Sequence, residues 1–384
     1  MSTRTTSIDA CRGLAVILMV LDHTRDYLSN YPFSPTDLTH PDTTMFFMRF
    51  VTHFCAPWFV FLAGVGIGLS LTSGKSRASV SRFLLTRGLW LVFVELVIIR
   101  YGCFLDFIPS VFYMGIIWAL GASMILLAAL IYLPTLLLFA LGLAGVALHN
   151  LLDFMTIVPA DGLLYWLVFF FRNQGELNLG ALTFDFDFPF GVWTCLAMLG
   201  IVFAKLWTIP DTRRIPILWM LACATTIAFL LLRGVFSYGD PTPFVAQSSS
   251  IQSILTFLNN EKYPPSLVYL LMTMSVGILF LAAYETFGWR LNVLQLFGRV
   301  PMFFYMVHFP IINTAALLWF FAMSPARVLG ASMAERQSLR FDFGFNAPGI
   351  FLCWAVFLLL LYALCVKYAA FKKLHPHLWW VRYV

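Results

Sequence analysis

Ser7-Ile8-Asp9-Ala10-Cys11-Arg12-Gly13-Leu14-Ala15-Val16-Ile17-Leu18-Met19-Val20-Leu21-Asp22-His23-Thr24-Arg25-Asp26 is an apolar run with ionisable residues at both ends. At about 1.5 Å of rise per residue, a helix over 13–30 spans most of a bilayer's hydrocarbon core. Ionisable groups so close to hydrocarbon cost a few kcal/mol each, so they mark either function or tight pairing.

Outward from this stretch the same texture repeats. Apolar runs follow at 50–72, 88–105, 109–131, 134–151, 187–207, 215–235, 266–287, 299–322 and 348–370. With the first they make ten expected spans. Of 384 residues, 61% are hydrophobic and 11% are charged. Soluble domains carry roughly 25% charged residues, so a soluble enzyme is excluded, as is a disordered chain. A membrane β-barrel would show alternating strands rather than long apolar runs. The expected fold is an all-α polytopic membrane bundle of about ten transmembrane helices, forming a single domain over 1–384.

Most Lys and Arg fall on one side of this topology, as cytoplasmic loops require. Arg4, Arg12, Lys75, Arg77, Arg82 and Arg87 begin that series, and Lys367, Lys372, Lys373 and Arg382 end it. Acids such as Asp26, Asp37, Asp42, Asp153, Asp161, Glu176 and Glu261 fall on the other side. Both termini are therefore expected in the cytoplasm, with no signal peptide, in an integral membrane protein of a bacterial inner membrane. Three segments rich in turn residues, 31–49, 152–186 and 236–265, lie outside; in the second, Leu163–Phe171 reads as an interfacial helix. The net charge of +6 forms no basic stripe, so nucleic acid is not an expected partner. The bilayer is, and a homodimer is compatible with the pattern. The seven cysteines form no CxxC pair and read mostly as buried free thiols.

Arg12 and His23 are eleven positions apart. On a helix that is three turns plus about 20°, so they share a face about 16 Å apart along the axis. A ligand with a phosphorylated head and a reactive tip matches that spacing. In an acyl-CoA, the phosphates would meet Arg12 and the thioester a basic His23. The alternative is a positive-inside anchor at Arg12 and a structural hydrogen bond at His23. His53 opens the second span at a similar depth, and Asp22, Arg25 and Asp26 stand close enough to orient a histidine or steady an oxyanion. Gly64, Gly66 and Gly68 read as one close-packing helix face. Glu95 and Arg100, five apart, do not share a face of an α-helix well and read as structural. His308, two residues before Pro310, either acts on a ligand or satisfies carbonyls freed by the proline. Lys262 and Tyr263, in a Pro-rich turn at the mouth of the eighth span, either hold a sugar or cap the helix. P-loop, HExxH, zinc-spaced Cys/His and GxSxG patterns are absent, so no metal is expected.

The opening stretch resembles uncharacterised bacterial membrane proteins of the heparan-α-glucosaminide N-acetyltransferase catalytic-domain family. So do Pro35-Thr36-Asp37-Leu38, Thr52-His53-Phe54-Cys55-Ala56-Pro57, Lys262-Tyr263-Pro264-Pro265-Ser266-Leu267 and Gly298-Arg299-Val300-Pro301 through His308. The Arg-x10-His spacing also resembles the wider transmembrane acyltransferase superfamily, including bacterial glycan O-acyltransferases. The resemblance implies a ten-helix core that takes an acetyl group from cytoplasmic acetyl-CoA to a sugar or glycan on the far side. It implies CoA contact at Arg12 and a catalytic base at His23. His53 and then His40 are the competing positions, since the family's lysosomal enzyme places its histidine between the first two core helices. That enzyme's extra lumenal domain has no obvious counterpart here, which favours a bacterial envelope glycan over heparan.

The expected site therefore has His23, His53, Asp22, Asp26 and Arg25 as catalytic residues. Arg12, Arg299 and His308 would bind the acyl-CoA, and Asp37, Lys262 and Tyr263 the acceptor. A proton-coupled transporter using the same cluster is the competing reading, and a scaffold without chemistry is a third.

Overall fold

The structure is a computed structural model that describes residues 5–104, 111–155, 162–172, 175–180, 182–329 and 333–384. Asp161 and the side chain of Cys103 lie outside what is described. The chain opens with α1 (Thr6–Leu28), α2 (Thr43–Thr52) and α3 (Cys55–Thr72), then α4 (Arg77–Phe93) and α5 (Arg100–Phe104), joined by a π-helical turn over Val94–Ile99. A strand, β1 (Val111–Tyr113), precedes α6 (Ile116–Leu130), α7 (Thr135–Leu148) and α8 (Leu163–Phe171). The hairpin β2 (Gly175–Leu179) and β3 (Leu182–Phe186) leads to α9 (Phe190–Phe203), α10 (Asp211–Gly234) and α11 (Ser250–Leu258). The remainder is helical: α12 (Leu267–Phe287), α13 (Asn292–Arg299), α14 (Pro301–Met323), α15 (Pro325–Leu329), α16 (Met333–Phe343) and α17 (Ala347–Leu374).

This is a polytopic membrane helix bundle. Among the described residues, seven helical stretches are long and apolar enough to cross a bilayer, and α6 is a shorter apolar helix. Among the described residues each of the ten expected runs is helical over most of its length, the 109–131 run only from Ile116 onward. The two that miss the composition criterion, α1 and α4 with its continuation, are long but carry more charge. Two corrections concern the 109–131 run and the outside segments. Val111–Tyr113 is a strand, parallel to β3 through Phe112 opposite Phe184, and β3 pairs antiparallel with β2. This small sheet caps one end of the bundle. The apolar run Leu163–Phe171 is a short helix, as expected.

Burial separates inner from outer helices. In α10 and α17 only 17% and 22% of the apolar stretch is buried, against 72% in α12. The first two bury one stripe, Leu218, Ala222 and Phe229 in α10 and Phe357, Leu361 and Cys365 in α17, and expose apolar side chains over the rest of their surface, the behaviour of peripheral spans. The central helix is α1, packed against α2, α3, α12, α13, α14 and α17. Its antiparallel neighbour α17 is held by Trp354 Nε1 donating to the Ile17 carbonyl at 3.0 Å and by the Phe345 N–H donating to Leu28. The start of α1 and the end of α17 therefore lie at the same end of the bundle.

Close approach of backbones sets α1 in place. A Cβ on Gly13 would overlap the Leu294 carbonyl of α13, and one on Gly298 would overlap the Asp9 carbonyl of α1. Two glycines on facing helices thus let the chains touch backbone to backbone. Of the described cysteines, Cys11, Cys55, Cys195 and Cys365 are buried free thiols, Cys353 is half-buried and Cys223 is exposed.

Gly13→Val is expected to destabilise the protein by at least about 1–3 kcal/mol, the usual cost of overpacking, because neither backbone can retreat. Thermal unfolding of the detergent-solubilised variant, followed by tryptophan fluorescence, checks this. An unchanged midpoint would refute the backbone contact.

Candidate functional site

Asp22 sits one turn and a half before the end of α1. Its carboxylate accepts both Oδ1 and Oδ2 contacts from Arg49 Nη1, at 2.8 and 2.7 Å, and one from the Thr52 hydroxyl at 2.7 Å. Arg25 Nη2, one turn along α1, lies 2.7 Å from the same carboxylate and 2.7 Å from Asp26 Oδ1. A buried carboxylate needs this many donors, because desolvating a charge costs several kcal/mol unless it is paired and hydrogen-bonded. The node clamps α1 to α2.

The break between α2 and α3 has a local cause. Pro57 has no N–H for the His53 carbonyl, four residues back. The Tyr269 hydroxyl of α12 donates to that carbonyl instead, at 2.8 Å. His53 itself is buried, 4% exposed, with its Nδ1 unpartnered and its ring 5.8 Å from Tyr269.

A cavity of about 950 Å³ runs beside α1. At one end its lining includes exposed Lys75 and Phe83, with Arg12 and Arg87; at the other, exposed Tyr113 and Asp187, with Lys262 and Tyr263. Asp22, His23, Tyr305 and Phe309 lie between, beside an apolar wall that includes Leu84, Leu91, Leu120 and Met124. The expected shared face of Arg12 and His23 is present, since both line this space. Arg12 Nη2 donates to the Leu62 carbonyl at 2.6 Å, and Nη1 is 3.7 Å from Asp9.

Gly66 corrects one expectation. Gly64 and Gly68 do pack α3 onto α9, but Gly66, two residues from each, faces the other way. A Cβ there would stand 3.1 Å from Arg12 Nη2, so this glycine makes room for the guanidinium.

Glu95 and Arg100 give a second correction. The π-helical turn bonds the Arg100 N–H to the Glu95 carbonyl, an i to i+5 step, so residues five apart fall on one face. Both side chains line the cavity. Glu95 accepts the Trp118 N–H at 3.1 Å, capping α6 from outside it, and the Arg100 guanidinium lies 5.3 Å from the Phe112 ring centroid.

The other expected site residues fall in different places. The His23 ring packs 4.2 Å from Phe309 and 5.2 Å from His308, and its Nδ1 stands 3.9 Å from Asp26 Oδ2, an ion-pair distance rather than a hydrogen bond. His308 is fully buried and does not line the cavity. Its Nδ1 donates to Tyr305 O at 2.7 Å, not to the Met306 carbonyl that Pro310 frees, and its Nε2 has no partner. His53, Arg25, Asp26 and Arg299 are likewise outside the lining; Arg299 Nη2 reaches Gln295 at 3.4 Å. Asp37 is in the loop before α2, where the Thr39 hydroxyl and N–H hold its carboxyl below the usual range. His40 stacks on Phe33 in that loop, 3.9 Å between centroids.

Sequence reasoning missed Arg49, Thr52, Lys75, Arg87, Tyr305 and Asp187 as site residues. Arg49 and Thr52 had a signal, namely polar groups three apart at the start of an apolar run. Asp187, at the sheet-covered rim, has its carboxyl pushed up to about 6 by desolvation and by Asp185.

A family model described as an acyltransferase domain matches residues 5–334, most of the chain, so the protein belongs to the acyltransferase 3 family and is a membrane acyltransferase. No curated protein matches it. The family assigns an enzyme with an acyl donor, which displaces the transport and scaffold readings of the same cluster.

Asp22→Ala is expected to cost about 3–5 kcal/mol of stability, since it leaves Arg25 and Arg49 buried without their counter-charge. Thr52→Val, which removes one donor, should cost about 1 kcal/mol. Denaturant or thermal unfolding of both variants checks the order; equal losses would contradict the clamp.

The Asp187 carboxyl should titrate near pH 6, read by carbon NMR of labelled aspartate. Its folded value is raised, so the folded state holds the proton more tightly. Relative to Asp187→Asn, the wild type should therefore lose stability as pH rises from about 4 to 6, and level off above.

Proposed function

We propose that this membrane acyltransferase takes an acetyl group from cytoplasmic acetyl-CoA and passes it to a sugar hydroxyl or amine of an envelope glycan. The observation that carries the reading is a cavity whose lining runs from Lys75 and Arg87 to Tyr113 and Asp187 and includes both Arg12 and His23. The end beside the start of α1 holds Arg12, Lys75 and Arg87, three cations suited to the phosphates of a CoA. We take that end as cytoplasmic, in line with the distribution of Lys and Arg, and a bacterial inner membrane as the setting.

A pantetheine arm extending along α1 brings the thioester to His23, about 16 Å away. His23 is the preferred base among the three candidates because it alone combines cavity access with a neighbouring carboxylate. His40 is in an exposed loop, and His53 is buried against Tyr269 outside the cavity lining. The His23 ring is steadied by Phe309 and His308, and Asp26 stabilises the imidazolium that forms when the acceptor proton is taken. The proton then goes to the departing CoA sulfur. The acceptor enters at the opposite end, past Tyr263, Tyr113 and Asp187, where rings and a carboxylate suit sugar faces and hydroxyls. The whole chain acts as one unit in this scheme.

Calorimetry with acetyl-CoA on the purified protein tests it. Wild type should bind; Arg12→Ala should weaken binding by about 10-fold or more, the worth of a charge-assisted phosphate contact. His23→Ala should bind within about 3-fold of wild type, yet lose at least about 100-fold in acyl transfer or thioester hydrolysis. Absence of binding to wild type would overturn the reading. Gly66→Ala should retain the fold and reproduce part of the Arg12→Ala loss, because it displaces the guanidinium by a few tenths of an ångström.

A further inference from the structure

Lys262 is the least explained charge in the site. It is only 8% exposed, yet its side chain lines the cavity. Among the described residues no carboxylate lies within ion-pair distance of its Nζ, which stands over the Tyr263 ring, 4.9 Å from the centroid. It is close enough to Asp22, His23 and His53 to interact electrostatically with all three. A largely buried lysine whose ammonium faces the cavity, with a ring beside it and Asp22 beyond ion-pair distance, is better satisfied when a ligand brings negative charge.

The loop that carries Lys262 is built to hold it still. The Arg233 guanidinium donates to the carbonyls of Thr242, Thr256, Phe257 and Asn259 and lies 3.6 Å from Asp240. Asp240 in turn accepts the Glu261 N–H at 3.0 Å and the Ser266 hydroxyl at 2.8 Å. On the other side of the turn, Arg172 Nη1 and His149 Nε2 converge on the Pro265 carbonyl at 2.9 and 2.8 Å. Five polar side chains, Arg233, Asp240, Ser266, Arg172 and His149, thus staple a short turn that carries Lys262 into the cavity lining. Preorganisation of this kind is what oxyanion stabilisation requires, because the donor must not reorganise as charge develops.

Arg25, the sequence-based candidate for that task, is committed elsewhere. One of its nitrogens is shared between Asp22 and Asp26, and its side chain does not line the cavity. We infer that Lys262 is a catalytic residue, which binds the thioester carbonyl oxygen of the acyl donor and stabilises the oxyanion of the tetrahedral intermediate. The inference rests on the acyl-CoA reading above. In the step, the acceptor oxygen or nitrogen attacks the thioester carbon as His23 removes its proton. The carbonyl π pair moves onto oxygen beside the Lys262 ammonium. The pair then returns, the carbon–sulfur bond breaks, and the sulfur takes the proton back from His23. Atoms and charge balance without a further reactant.

The test is the infrared carbonyl stretch of acetyl-CoA labelled with carbon-13 at the thioester carbon, bound to the full-length protein. In wild type the stretch should lie below that of free acetyl-CoA. In Lys262→Gln that shift should be lost, with acetyl-CoA affinity changed by less than about 3-fold and turnover down by about 100-fold or more. Lys262→Arg should keep most of the shift. A wild-type stretch equal to that of free acetyl-CoA, or one unchanged in Lys262→Gln, would overturn the inference while leaving the acyl-CoA reading in place. A wild type that binds no acetyl-CoA would instead bring down that reading itself. Should Lys262→Gln fail to fold, the Arg variant and the wild-type shift still decide.

Discussion

The buried carboxylate of Asp22 is the constraint on which the rest of the site depends. A charge in the interior of a bundle must be met by donors, and here Arg25, Arg49 and Thr52 all meet it. Two of those donors come from the next helix along the chain, so the node fixes both the distance between α1 and α2 and the roll of α1 about its axis. Side chains of successive residues point about 100° apart, and the roll that turns Asp22 toward Arg49 presents His23 to the cavity. At the other end of α1, the glycine contact with α13 fixes the same roll again, which places Arg12 on the wall beside Gly66. A helix locked at both ends holds the two candidate site residues, Arg12 and His23, a constant distance apart.

That rigidity matters because the cavity brings two chemistries to one space. The end near the start of α1 is cationic, and the far end mixes aromatic rings, Asp187 and Lys262. An enzyme that joins a donor from one side of a membrane to an acceptor from the other needs such a difference between its ends. The family supplies acyl transfer as the reaction, and the contrast between the two ends of the lining is what the proposed direction of transfer rests on. The small three-stranded sheet fits the same picture, since β3 ends at Phe186 and delivers Asp187 to the rim.

Much of the fold was legible because bilayer physics leaves few options. Most of the apolar runs had to be helices, and among the described residues seven long apolar stretches and the shorter α6 are, since backbone groups in hydrocarbon must be satisfied within the segment. The face shared by Arg12 and His23 was legible for a similar reason, as both sit on one uninterrupted α-helix. What escaped was any feature that depends on departure from α-helical spacing or on a distant partner. Glu95 and Arg100 were placed on different faces at 100° per residue, and a single π-helical turn undoes that count. The strand at Val111–Tyr113 is hidden by its apolar neighbours, because its partner β3 lies about seventy residues later. Gly66 carries the same letter as Gly64 and Gly68; only the position of Arg12 shows that its missing side chain serves a different neighbour. Arg233 and Asp240 gave no signal at all, since their work is to hold backbone carbonyls and N–H groups that a sequence does not place.

The charges around Asp22 and His23 do not cancel, and in the proposed reaction that imbalance has a chemical meaning. Asp22 and Asp26 face Arg25 and Arg49, so those four groups neutralise one another within ordinary ion-pair distances. Lys262 is left over, close to His23 and facing the cavity. A positive charge polarises a neutral thioester carbonyl at rest but gains little binding energy from it. It is well suited to the moment when the carbonyl oxygen becomes an anion. Interactions that strengthen only then are the ones that accelerate a reaction rather than merely bind its substrate. The same excess of positive charge would weaken if Asp22 were freed from its arginines to pair with Lys262, so the clamp on Asp22 also protects the field that the reaction uses.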